Sequence, residues 1–412
     1  MSLLDTTVWW HVYPLGATGA PWRGNELAAE AGQTVHRLPR LLPWVDYAAD
    51  LGCTGLLLGP VFASATHGYD TLDHFRIDPR LGDDADFDAL VERASARGMA
   101  LMLDGVFNHV GREHPLVTAF DPADPNGAMI RLDDVDGVRR PRGWEGHGDL
   151  VELDHRDPRV VDLVVDVMTY WLRRGITGWR LDVAYAVPPE FWRAVLARVR
   201  ADHPAAIFLG EVIHGDYAEI ARAGTLDSVT QYELWKAIWS SLVDQNLWEL
   251  AWALVRHDEF SRDVVLNTFV GNHDVPRIAS TVGDAGAALA AVLLLTLPGM
   301  PSVYYGDEQA FRGVKGEGFE SDDALRPELP ASPSDLDPHG RSMHELYQRL
   351  IALRRDNAWL ARARVSVGDK ANTSITYTCA RDGRTLSATV VTGTSPTASI
   401  AIDGAPVLAW PS

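Results

Sequence analysis

Short apolar runs and amphipathic helical stretches alternate along most of this chain of 412 residues. Eight runs have the composition of buried strands: 7–13, 54–58, 99–107, 178–183, 207–212, 228–232, 264–270 and 302–305. Helical stretches, such as the one that opens at Asp157-Pro158, separate most of these runs. Strands that alternate with helices predict βα units and a parallel sheet. Eight such units predict an α/β protein with a (β/α)8 TIM barrel.

Two segments interrupt this rhythm. Residues 111–152 separate the third predicted strand from its helix, and they are rich in Pro, Gly and charged residues. Because they are too long for an ordinary βα loop, we predict a small inserted subdomain there. Residues 309–340, which are rich in Gly, Pro and Asp, follow the eighth strand. We expect them to form a long loop over the barrel mouth.

The composition shifts toward Thr, Ser and Val beyond residue 358. Two strand-like runs, 373–380 and 384–391, flank Asp382-Gly383, a dipeptide typical of tight hairpin turns. These features predict a small antiparallel β domain. The predicted domains are the barrel (1–110 and 153–358), the inserted subdomain (111–152) and the C-terminal β domain (359–412).

Composition narrows the choice of partners and compartment. The formal net charge of −19 repels nucleic acid and anionic membranes and favours a neutral or cationic ligand. No run approaches the ~18 apolar residues of a membrane helix. The first fifteen residues carry Asp5 and bulky aromatics where a signal peptide has basic and then plain apolar residues. We therefore expect a cytoplasmic protein without nucleic-acid or membrane partners, and we leave the oligomeric state open.

Cys53 and Cys379 lie in apolar or β-patterned stretches, which predicts buried thiols rather than a disulfide framework.

Charged and imidazole side chains stand at the ends of four predicted strands. They are Asp104 with His109, Arg180 with Asp182, Glu211, and His273 with Asp274. In a barrel the C-terminal strand ends converge on one mouth. Several carboxylates in one mouth repel one another and raise their pKa values, which a fold tolerates mainly where the chemistry needs them.

Paired carboxylates around one sugar ring are the machinery of glycoside hydrolysis. One acid protonates the leaving oxygen, while a second carboxylate either attacks the sugar or activates water. The separation of the two carboxyl groups decides between these routes. The residues by themselves therefore indicate a glycosidase-like site and leave its stereochemistry open.

Segments around these strand ends resemble, in order along the chain, the short motifs of the α-amylase family (glycoside hydrolase family thirteen). The four motif-like segments are 104–109, 178–182, 210–211 and 271–274, and further family-like pieces stand at 59–61, 68–70 and 299–308. The segments 178–184, 210–214 and 323–327 are similar to the branch of cyclomaltodextrinases, neopullulanases and maltogenic amylases. The resemblance implies a (β/α)8 barrel and a retaining mechanism through a covalent glucosyl-enzyme.

The resemblance also implies a role for each carboxylate at the mouth. Asp182 is the expected nucleophile, Glu211 the expected general acid and then base, and Asp274 the expected transition-state stabiliser. The acid role implies a raised pKa for Glu211 before bond cleavage. Arg180 stands two residues before Asp182 on the same strand face, and we expect it to hold the nucleophile ionised and oriented. Asp104 is expected to brace Arg180.

The remaining candidate residues are expected to contact the sugar directly. By resemblance, His109 and His273 donate hydrogen bonds to the sugar at the cleavage point, and Tyr69 provides the stacking platform beneath it. His214 follows Glu211 by three residues and is expected to bind substrate as well.

Calcium is the only metal that the resemblance brings into question. Asn108 stands where many family members place a calcium ligand, but the histidine that they carry four residues beyond the nucleophile is Ala186 here. Calcium needs six to eight oxygen ligands, and no convincing set is apparent. We therefore expect no metal or other cofactor, with calcium as the alternative.

The expected function is hydrolysis of α-1,4 links, with α-1,6 links as a second target, in malto-oligosaccharides or cyclic α-glucans. An α-glucan transglycosylase that uses the same site with a sugar acceptor is one alternative. A non-catalytic glucan-binding relative is another, which the presence of Asp182, Glu211 and Asp274 disfavours.

Overall fold

The computed structural model describes residues 2–124, 127–318 and 321–411. Its central sheet has eight parallel strands, and each of the eight predicted runs overlaps one of them. The barrel strands are Trp9–Val12, Gly55–Leu58, Ala100–Gly105, Gly178–Leu181, Ile207–Gly210, Ser228–Val229, Asn267–Phe269 and Met300–Tyr304. Neighbours along the chain are neighbours in space, and the first strand pairs with the eighth. A parallel bridge between Thr230 and Asn267 joins the sixth strand to the seventh, so the predicted (β/α)8 barrel is confirmed.

Helices cover the outside of the barrel. The longer ones are Leu42–Leu51, Asp84–Ala96, Pro158–Arg173, Pro189–Asp202, Tyr217–Gly224, Tyr232–Asp244, Trp248–Phe260, Ile278–Thr296 and Arg341–Asp356, and the shorter ones are Leu3–Thr6, Pro14–Ala17, Gly24–Ala29 and Pro115–Thr118. The helix Pro158–Arg173 begins where its sequence predicts: the Asp157 side chain accepts a hydrogen bond from the Arg159 N–H, and Pro158 occupies the first turn. Its buried stripe, which includes Val160 and Trp171, packs toward the sheet.

The apolar runs predict no stretch near the length of a membrane helix, but one helix within the described ranges, Ile278–Thr296, is long and apolar enough to cross a membrane by length and composition. Its second half, from Ala287 onward, is buried. It packs against the helices Tyr232–Asp244 and Arg341–Asp356. These contacts identify it as a helix of the protein core.

The segment between the third barrel strand and its helix forms a small β structure. Its strands are His109–Gly111, Leu132–Val135, Val138–Pro141, Gly143–Trp144 and His147–Glu152. The last of these lies between the first and the fourth in a three-stranded sheet, and the other two form a hairpin. Of the predicted subdomain, residues 125–126 lie outside the described part of the chain. A second hairpin, Phe62–Ser64 with Thr71–Ile77, follows the second barrel strand.

The C-terminal residues form a five-stranded antiparallel sheet, as predicted. Its strands are Arg364–Ala371, Ser374–Arg381, Arg384–Val391, Thr397–Ile402 and Ala405–Trp410. The predicted hairpin turns at Asp382 and Gly383, whose φ angles of 50° and 79° are those of a tight turn matched to twisted strands. Cys379 and Cys53 are both buried and free, which confirms the prediction for them.

The barrel interior is built in layers. A lower layer is apolar and consists of Trp9, Leu57, Ala100, Met102, Ile207, Leu209, Val265 and Met300. Gly55 leaves room for the Trp9 ring, since a Cβ there would lie 2.4 Å from a ring carbon. Two residues further along the same strands stand polar side chains that face the mouth: His11, Asp104, Glu211, Asn267 and Ser302. The candidate site is built on this upper layer.

Candidate active site

Arg180 on the fourth barrel strand is the centre of the site. Its side chain is buried, and the strand register places it beside Asp104. Nη1 lies 2.7 Å from both carboxylate oxygens of Asp104 and 3.2 Å from Asp182 Oδ1. Nη2 lies 2.7 Å from Glu211 Oε1. One guanidinium therefore joins three of the carboxylates that the sequence singles out.

Asp182 and Glu211 are held side by side by this shared partner. Glu211 Oε2 also accepts a hydrogen bond from the backbone N–H of Val183 at 3.0 Å, and Glu211 Oε1 accepts one from the Tyr232 hydroxyl at 3.3 Å. Val183 has a φ of 49°, which is costly for a β-branched residue. Strained backbone persists where the surroundings impose it, often at functional sites. Here it turns the N–H that follows Asp182 toward Glu211.

The electrostatics of this group favour a retained proton. Burial raises the pKa of Asp182, and the neighbouring charge of Glu211 raises it further. Burial also raises the pKa of Asp104 to about 6, against the opposing effect of Arg180. Burial thus opposes the ionised form of Asp182 that the nucleophile role needs, and Arg180 is the neighbour that favours that form. Glycoside hydrolysis needs one protonated carboxyl beside one ionised carboxylate.

Asp274 is connected to the same network through two rings. Asp274 Oδ2 lies 3.1 Å from His273 Nε2. The Tyr69 hydroxyl contacts that nitrogen and donates to Asp104 Oδ2 at 3.0 Å. The Tyr69 ring is parallel to the His273 ring, with centroids 5.4 Å apart. The structure thus brings together Asp182, Glu211 and Asp274, which come from three separate strand ends.

The two other predicted binding residues occupy different surroundings. His109 is buried, with Nε2 3.1 Å from the Tyr69 carbonyl oxygen and Nδ1 3.2 Å from the Asn108 side-chain amide. Its ring lies under Trp144, 6.3 Å away and nearly parallel. His214 is exposed, with its ring 5.7 Å from that of Tyr185. Contacts of His109 and His214 with a sugar remain predictions.

Sequence reasoning missed two residues that complete the site. Arg326 is buried, and its Nη2 lies 3.2 Å from Asp274 Oδ1 while its Nε donates to the His273 carbonyl at 3.0 Å. It belongs to the predicted loop 309–340, which reaches the mouth here; residues 319–320 of that loop lie outside the described part. Tyr232 is the last residue of the sixth predicted run, 228–232, and begins a helix in the structure; its place at the end of that run was the available signal for it.

Calcium binding near Asn108 stays an open prediction. Asn108 is buried, and its side-chain nitrogen lies 3.2 Å from His109 Nδ1. Within the described ranges, three His, Cys, Asp or Glu side chains come together at His36, Asp83 and Asp86. Asp83 and Asp86 form the capping box of the helix Asp84–Ala96, and His36 hydrogen-bonds to Asp86. Those contacts account for this exposed group.

Comparison with known proteins identifies the family. The model of the alpha amylase catalytic domain matches residues 41–124 and 145–343. The cyclomaltodextrinase of Geobacillus thermopakistaniensis is 32% identical over 390 residues, which are 87% of this chain and 64% of that protein. An intracellular maltogenic amylase of Bacillus subtilis is 28% identical over 382 residues, 85% of this chain and 62% of that protein. The chain thus spans less than two thirds of the length of these relatives.

A solved structure agrees over the whole chain. The ligand-free cyclic α-maltosyl-(1→6)-maltose hydrolase of Arthrobacter globiformis superposes with a TM-score of 0.79 at 25% identity and covers 99% of both chains. The matched family model spans most of the barrel and part of the inserted segment. The resemblance seen in the motifs is confirmed, and the chain belongs to the α-amylase family.

Proposed function

We propose that this protein is a retaining α-glucoside hydrolase that cleaves α-1,4 links in malto-oligosaccharides or cyclic α-glucans, and α-1,6 links as a second target. The observation that carries the proposal is the attachment of Asp182 and Glu211 to one guanidinium, that of Arg180. The names of the relatives, a cyclomaltodextrinase and a hydrolase of a cyclic α-1,6-containing sugar, support this substrate class.

The proposed reaction has two steps. Asp182 attacks the anomeric carbon while Glu211 gives its proton to the leaving oxygen, and a glucosyl ester forms on Asp182. Glu211 then takes a proton from water, and the water oxygen displaces Asp182 from the anomeric carbon. Asp274, held by His273 and Arg326, binds sugar hydroxyls as positive charge develops on the ring. Arg180 stabilises the ionised carboxylates in both steps.

Transfer to a sugar is the second candidate for the same intermediate. The rings of Tyr185 and His214 lie against each other just beyond Asp182 and Glu211. Burial raises the pKa of Tyr185 to about 12, and the nearby charges of Glu145, Glu211 and Asp182 add to the shift. Glu211 protonates the leaving group, and an acceptor sugar takes the place of that leaving group on the same side of the site. The Tyr185 and His214 rings offer apolar faces to it there.

A substrate panel tests the proposal and separates the candidates. Maltose, maltotriose, cyclodextrin, pullulan, isomaltose, starch, sucrose and trehalose would be incubated with the protein and the products separated by chromatography. We expect products shorter than the substrate, and NMR should detect the α-anomer of the product first. Longer products at high substrate concentration would favour transfer. If no substrate in the panel gave a product, both hydrolysis and transfer would be contradicted, and a non-catalytic glucan-binding protein would be favoured.

Three further points belong to this proposal. Arg180 supplies the positive charge of the site, so we propose catalysis without a metal or other cofactor. We propose a cytoplasmic location, supported by the relative named as an intracellular maltogenic amylase. Such a location suits short or cyclic sugars brought into the cell. The net charge of −19 supports the absence of nucleic-acid and membrane partners.

A further inference from the structure

A small cavity lies beneath the catalytic residues, between them and the apolar lower layer of the barrel. Its volume of 20 Å³ has room for one water molecule. Polar side chains line much of it, among them His11, Tyr232, Asn272, His273 and Ser302. A cavity of this size is hydrated where two to four polar partners surround it.

Two ring nitrogens at this cavity have no hydrogen-bond partner in the described part of the chain. They are Nε2 of His11 and Nδ1 of His273, and both are buried. The two rings are nearly perpendicular, with centroids 5.4 Å apart, and share no direct hydrogen bond. An unsatisfied buried polar atom costs about 1–3 kcal/mol. Two of them at one polar cavity indicate a shared partner within it.

The protonation of His273 follows from its other contacts. Burial lowers the pKa of both His11 and His273, so each ring is neutral near pH 7 and has one donor and one acceptor nitrogen. Nε2 of His273 lies 3.1 Å from the Asp274 carboxylate and contacts the Tyr69 hydroxyl, whose own proton goes to Asp104 Oδ2. Both neighbours therefore act as acceptors toward Nε2, which carries the proton. Nδ1 is then the acceptor, and it needs a donor from the side of the cavity.

The His273 ring is held in one orientation by its neighbours. The Tyr13 and Tyr69 rings both stack on it nearly parallel, with centroid distances of 5.8 Å and 5.4 Å. A flip of the ring would turn Nδ1 away from the cavity and Nε2 away from Asp274. The tautomer of a histidine is set by the partner of its second nitrogen, and the second nitrogen of His273 is the buried, unpartnered Nδ1.

We propose that an ordered water occupies this cavity, donates a hydrogen bond to Nδ1 of His273 and is held by Nε2 of His11. His11 is then a positioning residue: through the water it keeps the proton of His273 on Nε2, where it serves Asp274 and Tyr69. The water site and the tautomer do not depend on any enzymatic activity of the protein. Only their effect on the reaction rate rests on the proposed function.

The first test uses the unaltered protein and needs no activity. A crystal structure at high resolution should show one solvent peak within hydrogen-bond distance of both His11 Nε2 and His273 Nδ1. NMR of ¹⁵N-histidine-labelled protein should show His273 neutral, with its proton on Nε2, and a His273→Gln variant would assign its signals. A cavity without solvent density, or a proton on Nδ1, would overturn the proposal.

The second test compares two substitutions of His11. His11→Leu removes the polar partner of the water. We expect kcat to fall about tenfold with KM little changed, because the change disturbs Asp274, which acts in the transition state. His11→Gln keeps a polar side chain at the cavity and should recover most of the rate. Thermal unfolding would establish that both variants fold, and the His273 signals should shift to the other tautomer in His11→Leu only.

The outcomes separate this inference from the proposed function. Equal losses in His11→Leu and His11→Gln, or an unchanged His273 tautomer in His11→Leu, would reduce His11 to a packing residue and overturn the proposal. Absence of glycosidase activity in the unaltered protein would contradict the proposed function, while the water and the tautomer would still be read from the first test.

Discussion

The two interior layers of the barrel occupy the same strands, two residues apart, and have opposite chemistry. The lower layer, which includes Leu57 and Leu209, is apolar. The upper layer contains buried charges, including Asp104 and Glu211, joined through Arg180. Residues that stabilise the barrel and residues that react therefore lie only two positions apart along the same strand.

The difference has opposite energetic consequences in the two layers. Removing apolar area from water stabilises the lower layer by about 25 cal/mol per Å². Burying charges destabilises the upper layer unless each is paired, and three carboxylates there share one guanidinium. The upper layer is thus maintained for chemistry and the lower layer for stability. Substitutions in each layer test this division.

Asp182→Asn should produce the largest effect, a loss of kcat of at least about 10⁴-fold, because no nucleophile remains. The fold should be intact. The measurement is the rate of maltotriose or cyclodextrin cleavage, whichever the panel shows to be the better substrate. Near-native activity would remove Asp182 as the nucleophile.

Thermal unfolding of the Asp182→Asn variant tests whether the buried carboxyl group of Asp182 destabilises the fold. The pKa of Asp182 is raised in the folded state, so ionisation of this carboxyl destabilises the fold as pH rises above its unfolded value of about 3.9. Asparagine cannot ionise. The variant should therefore gain in Tm relative to the unaltered protein between pH 4 and pH 8. A variant less stable at every pH would contradict the view that the upper layer costs stability.

Glu211→Gln should lower the hydrolysis of oligosaccharides about 10³-fold, because the leaving oxygen is no longer protonated. An activated aryl glucoside needs no such proton, and a burst of released phenol should remain as the glucosyl-enzyme accumulates. The matched control is Glu152→Gln, a buried glutamate in the inserted segment that pairs with Arg131. Equal losses on both substrate types would argue against the acid role of Glu211.

The barrel and most of its upper layer could be predicted because they follow from local pattern. Parallel strands buried on both faces, such as Ala100–Gly105, are continuous apolar runs. A polar residue that ends such a run must lie at the mouth. That rule is sufficient to bring Asp104, Asp182 and Glu211 together without knowledge of any side-chain position.

The contacts across the mouth could not be predicted in this way. Arg326 reaches Asp274 and lies over the Tyr13 ring, with Cζ 4.5 Å from its centroid. The path of the loop that carries it depends on packing between distant segments and leaves no periodic pattern. The engagement of both nitrogens of His109 within the protein likewise depends on coordinates. Local sequence therefore indicates which residues lie at the mouth and gives little information on what each contacts.

Met102→Ala examines the lower layer. Met102 is buried two residues before Asp104, and its truncation should lower the free energy of unfolding by about 2–5 kcal/mol through lost burial and a cavity. The value of kcat should stay within about twofold below the unfolding transition, since no contact of the upper layer is removed. Denaturant unfolding and the rate assay together make the measurement. A large loss of kcat in a folded variant would show that the two layers are coupled and that the division between them is too simple.

Chelation should produce the smallest effect of all. Arg180 already pairs with three carboxylates of the upper layer, those of Asp104, Asp182 and Glu211. EDTA should therefore change kcat and Tm by less than the error of each assay, and added calcium should restore nothing. If EDTA lowered activity and calcium reversed the loss, a bound cation would share the balancing of charge at the mouth. The cation would then offset part of the repulsion between the buried carboxylates, and the gain in Tm expected for Asp182→Asn should shrink when calcium is present.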